Sequence, residues 1–312
     1  MGNNTKFYFD GGAVFDKQLL ANPNPTIVNY RDNLSQKFNR QMGLLLESKR
    51  PRKVYTSKGR LSTNRAYRFP FSDNIFQQHN STPKTDTTFV MLVDGSGSMN
   101  CHAHDYEGER LSRLEVCSSI CSAFAKSVQQ VLKNELKFHV FLKSAPSVYN
   151  DEYRGSFATL TRVLTNEGSV NDFDSILALD GSSPLYEVME GSEPKHRKDG
   201  SFTSEFSVLP ALVKWLSKNI TTKNVVIINL TDGESYCRLG TDDAVFQFGN
   251  EGTRQLRIKY LRGIPNLTMM IGREMKDDAF KEIYGEDSFV AEDGFETKLF
   301  STLLKQLDSA TS

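Results

Sequence analysis

The chain is poor in cysteine, and its four cysteines make no framework. Cys101, Cys117, Cys121 and Cys237 form no CxxC pair, and 312 residues bury a core large enough to need no covalent staples. Reduced thiols in a cytoplasmic setting are the expectation. No apolar run approaches the roughly 20 residues that span a bilayer. The opening Met1-Gly2-Asn3-Asn4-Thr5-Lys6 lacks the apolar core of a secretory signal. Net charge is missing as well: 38 Lys and Arg balance 38 Asp and Glu, so no global field recruits nucleic acid or an acidic membrane. Catalytic signatures are absent too. There is no Gly-x-x-x-x-Gly-Lys-Ser/Thr phosphate loop and no Gly-x-Ser-x-Gly elbow, and none of the five histidines stands in a triad context. The expectation is a chain that hydrolyses no ATP by itself and breaks no bond.

What the chain does have is an abrupt change of chemistry. The run Thr87-Thr88-Phe89-Val90-Met91-Leu92-Val93 ends in Asp94-Gly95-Ser96-Gly97-Ser98-Met99. Such a run reads as a central parallel strand buried on both faces. Its glycines let the next turn bring the Asp94 carboxylate and the Ser96 and Ser98 hydroxyls to one point. Converging hard oxygen donors suit Mg²⁺, with Mn²⁺ or Ca²⁺ as alternatives. Mg²⁺ wants near-octahedral oxygen coordination at about 2 Å and keeps positions for water or an incoming ligand. The plainer reading of Asp94 is a helix cap or Asx turn, because Asp-Gly and Ser-Gly are ordinary turn dipeptides.

A second apolar strand, Asn224 to Leu230, delivers Thr231-Asp232-Gly233. In open α/β sheets, ligands bind beyond the carboxyl ends of the strands where strand order reverses. Asp94 and Asp232 are therefore expected on one edge, with Thr231 orienting Asp232 through a hydrogen bond.

Residues 1–26 are rich in Asn, Gly and Pro and read as an irregular arm. Ile27, Leu34, Phe38, Met42, Leu45 and Leu46 recur near the helical period, which predicts a helix over 27–49 with one apolar stripe. That stripe must pack on something. From Lys49 to Arg68 basic residues run without an acid, with Tyr55, Tyr67 and Phe69 interleaved. Arg60, Arg65 and Arg68 are candidate contacts there, for a nucleic-acid backbone or for an acidic protein surface.

After this helical and basic extension (27–85), residues 86–312 alternate strand and helix. Strands are predicted at 88–93, 136–142, 157–164, 224–230, 267–271 and 289–290. Helices are predicted at 111–132, after Pro184, and at 206–218, 253–262, 277–284 and 295–307. Alternation implies parallel strands with crossovers: an α/β fold with a doubly wound, mostly parallel sheet flanked by helices. Cys117 and Cys121 lie four apart on one helix face and read as small buried residues. The polar stretch 191–200 reads as a surface loop. The segment between Met99 and Leu111 offers Cys101, His102 and His104 to a softer metal such as Zn²⁺, or forms a partner-contacting loop.

Asp94-x-Ser96-x-Ser98 followed by Leu230-Thr231-Asp232-Gly233 resembles the metal-ion-dependent adhesion site (MIDAS) of von Willebrand factor A (vWA) domains. Asp180-Gly181-Ser182-Ser183-Pro184-Leu185 occupies the interval of that family's third loop, with Ser183 where Thr is usual. The resemblance implies a vWA, Rossmann-like fold. It implies Ser96 and Ser98 as direct metal ligands, with Ser183, Asp94 and Asp232 contributing directly or through water. Largely neutral direct ligands would leave the ion able to accept a Glu or Asp from a partner.

Ser57-Lys58-Gly59-Arg60-Leu61-Ser62-Thr63-Asn64-Arg65, then Ile75-Phe76, narrow the match. Within the vWA families they are similar to the CobT-type subunit of cobaltochelatase and its relatives, in which a basic Gly-Arg-Leu segment precedes the vWA domain. The resemblance runs from about Ile27 to the C-terminus. It implies an adaptor beside a hexameric AAA+ ATPase of the CobS or MoxR type, coupled to a client that donates Asp or Glu to the metal. The long acidic segment usual in that subunit is missing here, which leaves the client open. Two other classes stay in play: an RNA-binding vWA protein of the Ro type using the basic segment, and an adhesion-type ligand-binding vWA protein.

Overall fold

The computed structural model describes residues 14–16, 23–49, 53–56, 60–61, 76–79, 87–132, 136–144, 147–150, 153–156, 159–167, 173–179, 205–233, 237–241, 244–248, 250–272 and 275–311. Its elements, in chain order, are β1 (Val14–Asp16), α1 (Pro25–Lys49), β2 (Thr87–Asp94), α2 (Arg113–Leu132), β3 (Lys137–Ser144), β4 (Thr159–Thr165), α3 (Glu205–Asn219), β5 (Asn224–Thr231), α4 (Asn250–Tyr260), β6 (Asn266–Met270), α5 (Asp277–Tyr284), β7 (Phe289–Val290) and α6 (Phe295–Thr311). Short antiparallel ribbons decorate this frame, among them Lys53–Thr56 and Arg60–Leu61 on either side of Phe76–His79. The helix expected after Pro184 and the polar stretch 191–200 lie outside the described residues.

The strands form a seven-stranded sheet in the order β1-β4-β3-β2-β5-β6-β7. From β2 the chain winds outward through β3 and β4, returns beside β2 as β5, and winds outward the other way through β6 and β7. Strand order therefore reverses between β2 and β5, whose registers pair Thr87 with Asn224 and Val93 with Leu230. This is an α/β protein with a mostly parallel sheet flanked by helices, as the alternation predicts.

Strand pleating explains why β2 is apolar on both faces from Phe89 to Val93. Phe89, Met91 and Val93 point into one core, shared with Phe138, Val140, Ile228 and the helices α1, α2 and α6. Val90 and Leu92 point into the other, against Val208, Leu212 and Leu216 of α3. The stripe predicted on α1 is the wall of the first core. The Phe38 ring stacks edge-on against Phe124 at 6.4 Å, Phe295 at 6.4 Å and Phe300 at 5.3 Å. Lys37 Nζ pairs with Glu296 Oε1 at 2.7 Å and Lys126 Nζ with Asp32 Oδ1 at 2.8 Å, which clamps α1 to α6 and to α2. The side chains of Leu45 and Leu46 lie outside the described ones.

Three expectations change. Strand β4 runs antiparallel to β3. The residues joining them carry a two-stranded ribbon, Ser147–Asn150 against Tyr153–Ser156, and a parallel neighbour needs a longer crossover, usually helical. The arm 1–26 is not wholly irregular, because Val14–Asp16 pairs in parallel with Leu160–Arg162 on the sheet edge. The segment before α2 is a β-hairpin, His102–Tyr106 against Glu109–Ser112. Its turn residues Glu107 and Gly108 both have positive φ, 51° and 86°, as a type I′ turn requires. Leu111 belongs to this hairpin, so the helix begins at Arg113.

Candidate metal centre

Strand β2 ends at Asp94, the chain turns through Gly95 and Ser96, and a 3₁₀ turn, Gly97–Asn100, follows. Gly95 is needed because the chain passes close to β3: its N–H donates to the Lys143 carbonyl at 2.8 Å, and a Cβ there would sit 3.0 Å from that oxygen. The turn folds back on its own carboxylate. Ser96 N–H donates to Asp94 Oδ1 at 2.8 Å, and the Ser96 and Ser98 hydroxyl oxygens lie 3.0 Å apart. Across the switch point Thr231 Oγ1 donates to Asp94 Oδ2 at 3.1 Å and accepts from Gly233 N–H at 3.3 Å. The sequence points Thr231 at Asp232; its hydroxyl proton goes to Asp94. Asp94 and Asp232 are both wholly buried, Ser96 is buried and Ser98 is half-buried.

Sequence reasoning missed two cations here. Arg113, the first residue of α2, is buried with its Nη1 3.3 Å from Asp232 Oδ2 and 3.5 Å from the Ser98 carbonyl. Lys143 is also buried and stands opposite Asp94 in the β2–β3 register. The β3 sequence could have flagged Lys143, since it follows the apolar run Val140-Phe141-Leu142 directly at the strand's end. Nothing local marks Arg113. One helical turn on, Cys117 is fully buried; burial, Cys121 and the Asp94 and Asp232 carboxylates push its thiol well above the usual range. It is a neutral packing group, as expected for the Cys117–Cys121 face.

These donors fit a small hard divalent cation. In an octahedron with bonds of about 2.1 Å, neighbouring ligands lie about 3 Å apart, the separation found between Ser96 and Ser98. Two buried carboxylates and two hydroxyls at one strand edge are the donor chemistry Mg²⁺ prefers. Ser183, the fifth candidate ligand, lies outside the described residues.

The softer-metal alternative gains nothing. Among the described residues no group of three His, Cys, Asp or Glu side chains is placed to hold a metal. Cys101 and His102 are exposed, His102 faces Asp105 at 3.5 Å, and the His104 ring packs 5.4 Å from Tyr30. Of the basic candidates, Arg60 falls on a short strand pairing with Gln77, while Arg65 and Arg68 lie outside the described residues. Among the described residues no helix is long and apolar enough to cross a membrane.

No family model and no curated protein matches the chain. Solved structures with a similar course include the PilB minor pilin from Streptococcus sanguinis, at 11% identity and TM-score 0.44 over 71% of this chain and 61% of that one. The pilus adhesin RrgA from Streptococcus pneumoniae matches at 10% identity and TM-score 0.39, over 72% and 44% of the two chains. The pilus adhesin SpaC from Lactobacillus rhamnosus GG matches at 13% and 0.38, over 74% and 30%. The chain thus spans less than two thirds of each of these proteins.

Proposed function

We propose that the chain is a non-catalytic, Mg²⁺-dependent protein-binding module of vWA type. In this reading it couples an AAA+ ATPase of the CobS or MoxR type to a client through a carboxylate of the partner. The observation that supports it is that Asp94, Ser96 and Ser98 at the end of β2 and Asp232 at the end of β5 lie on the edge where strand order reverses. Ser96, Ser98, Asp94 and Asp232 would hold the ion, with Ser183 completing the set from the third loop. When bound, the ion supplies Lewis acidity toward a partner's Asp or Glu.

The chain's own residues prepare that contact. Thr231 and the Ser96 amide fix both oxygens of Asp94, so its carboxylate is oriented before any cation arrives. The serine hydroxyls add donors without adding charge, which keeps a bound cation electrophilic. The ATPase partnership rests on the CobT-like basic segment before β2.

The test is affinity capture from native cells in Mg²⁺ and in EDTA, with Asp94→Ala as control and mass spectrometry as readout. Recovery of an AAA+ ATPase or its client only with Mg²⁺ and intact Asp94 is expected. Recovery of the same partners in EDTA, or by the variant, removes the metal from the function.

A further inference from the structure

Arg113 is set where the binding edge meets three loops. Its guanidinium pairs with Asp232 after β5 and reaches the Ser98 carbonyl after β2. It also lies against Gly272 after β6. Gly272 has φ +83°, and a Cβ there would come within 2.8 Å of Arg113 Nε. A buried guanidinium on a buried carboxylate, housed where a glycine makes room for it, is a built feature and no surface pair.

We propose that Arg113 is the resident cation of the site. It neutralises Asp232 when no metal is held, and a divalent cation must bind against its charge, so Arg113 sets the ion concentration at which the site loads. The inference rests on the metal-dependent reading above. A cation held by Asp232 would share that carboxylate with the guanidinium, whose Nη1 lies 3.3 Å from Asp232 Oδ2, and charge repulsion at such close range in a partly buried site changes affinity by about an order of magnitude or more. Without Arg113 the Asp232 carboxylate would lose its paired positive charge, an arrangement that would load at low cation concentration and stay loaded. With Arg113 the free chain tolerates an empty site, and loading becomes conditional.

The test measures Mn²⁺ affinity by electron paramagnetic resonance for the whole chain, Arg113→Gln, Arg113→Lys and Asp94→Ala, with thermal unfolding of each in EDTA and in Mg²⁺. Arg113→Gln should bind Mn²⁺ about tenfold or more tighter than the unaltered chain, and Arg113→Lys, which keeps the charge, within about threefold of it. Arg113→Gln should also lose thermal stability in EDTA and recover it in Mg²⁺. Asp94-dependent binding by the unaltered chain, with equal or weaker binding by Arg113→Gln, overturns the role of Arg113 and leaves the metal site standing. Mn²⁺ binding no stronger than that of Asp94→Ala in both the unaltered chain and Arg113→Gln overturns both. Should Arg113→Gln fail to fold, the unaltered chain decides: Mg²⁺ should shift the ¹⁵Nε resonance of Arg113, and an unmoved resonance at saturating Mg²⁺ overturns the proposal.

Discussion

Thr231 and Asp94, the last residues of two neighbouring strands, are joined by a 3.1 Å hydrogen bond from the threonine hydroxyl to Asp94 Oδ2. The bond crosses the seam at which strand order reverses, and it makes the orientation of the first site loop depend on the end of β5. A buried carboxylate oxygen deprived of its donor bears a desolvation cost of about 1–3 kcal/mol.

Thr231→Val keeps the shape and removes the donor. Chemical denaturation should show a loss of about 1–2 kcal/mol, with Mn²⁺ affinity falling as Asp94 is freed to rotate. Thr231→Ser should restore most of both. A valine variant matching the parent in stability and in Mn²⁺ affinity would mean that Asp94 is held in place without Thr231.

Gly233 follows the second site aspartate at φ +93°, and a Cβ there would meet Met270 Sδ at 2.5 Å. Both the left-handed backbone and the collision count against any side chain. Gly233→Ala should cost about 1–3 kcal/mol, read from the shift in denaturation midpoint at unchanged slope. Trimming Met270 in the same chain should return only the part that comes from the collision.

How much of this was legible before the structure depends on the range of the forces involved. The two central strands declared themselves because burial on both faces leaves no polar residue from Phe89 to Val93 or from Val225 to Ile228, and five of the six sheet strands expected from the sequence keep their expected direction. The reversal of β4 was hidden because direction is decided by the connection, and that connection gave no helical period to read. The hairpin 102–112 was hidden by its turn, where Glu107 adopts a positive φ that sequence reading expects of Asn or Asp. Asp94, Ser96 and Ser98 sit within five residues and could be seen together. The pairing of Arg113 with Asp232 spans a sequence separation of 119 residues and has no local signal.

His139 makes stability fall on the acid side. Burial against Trp215, reinforced by Arg162 and Lys137 and opposed by Glu167, holds its imidazole down to about 4 from an ordinary 6.5. As pH falls through 6.5 the unfolded chain takes up a proton that the folded chain refuses. The cost therefore accumulates between about pH 6.5 and 4 and is complete once the folded imidazole protonates as well. Its ceiling is about 3 kcal/mol. Unfolding free energies across that window should slope downward toward acid, and His139→Gln, which keeps a polar partner for Thr165 at the 2.9 Å contact, should flatten the slope.

Phe38 tests whether the N-terminal helix belongs to the sheet's own core. Its ring is fully buried between Phe124 of α2 and Phe295 and Phe300 of α6, and Phe124 in turn packs 5.3 Å from Phe89 of β2. A chain of aromatic contacts thus runs from α1 to the strand that ends in Asp94. Phe38→Ala should cost about 3–5 kcal/mol in one cooperative transition followed identically by circular dichroism and by Trp215 fluorescence, although Trp215 lies on the far face of the sheet. An early, separate loss of helical signal with the tryptophan signal unchanged would show instead that α1 unfolds by itself and that the site stands without it.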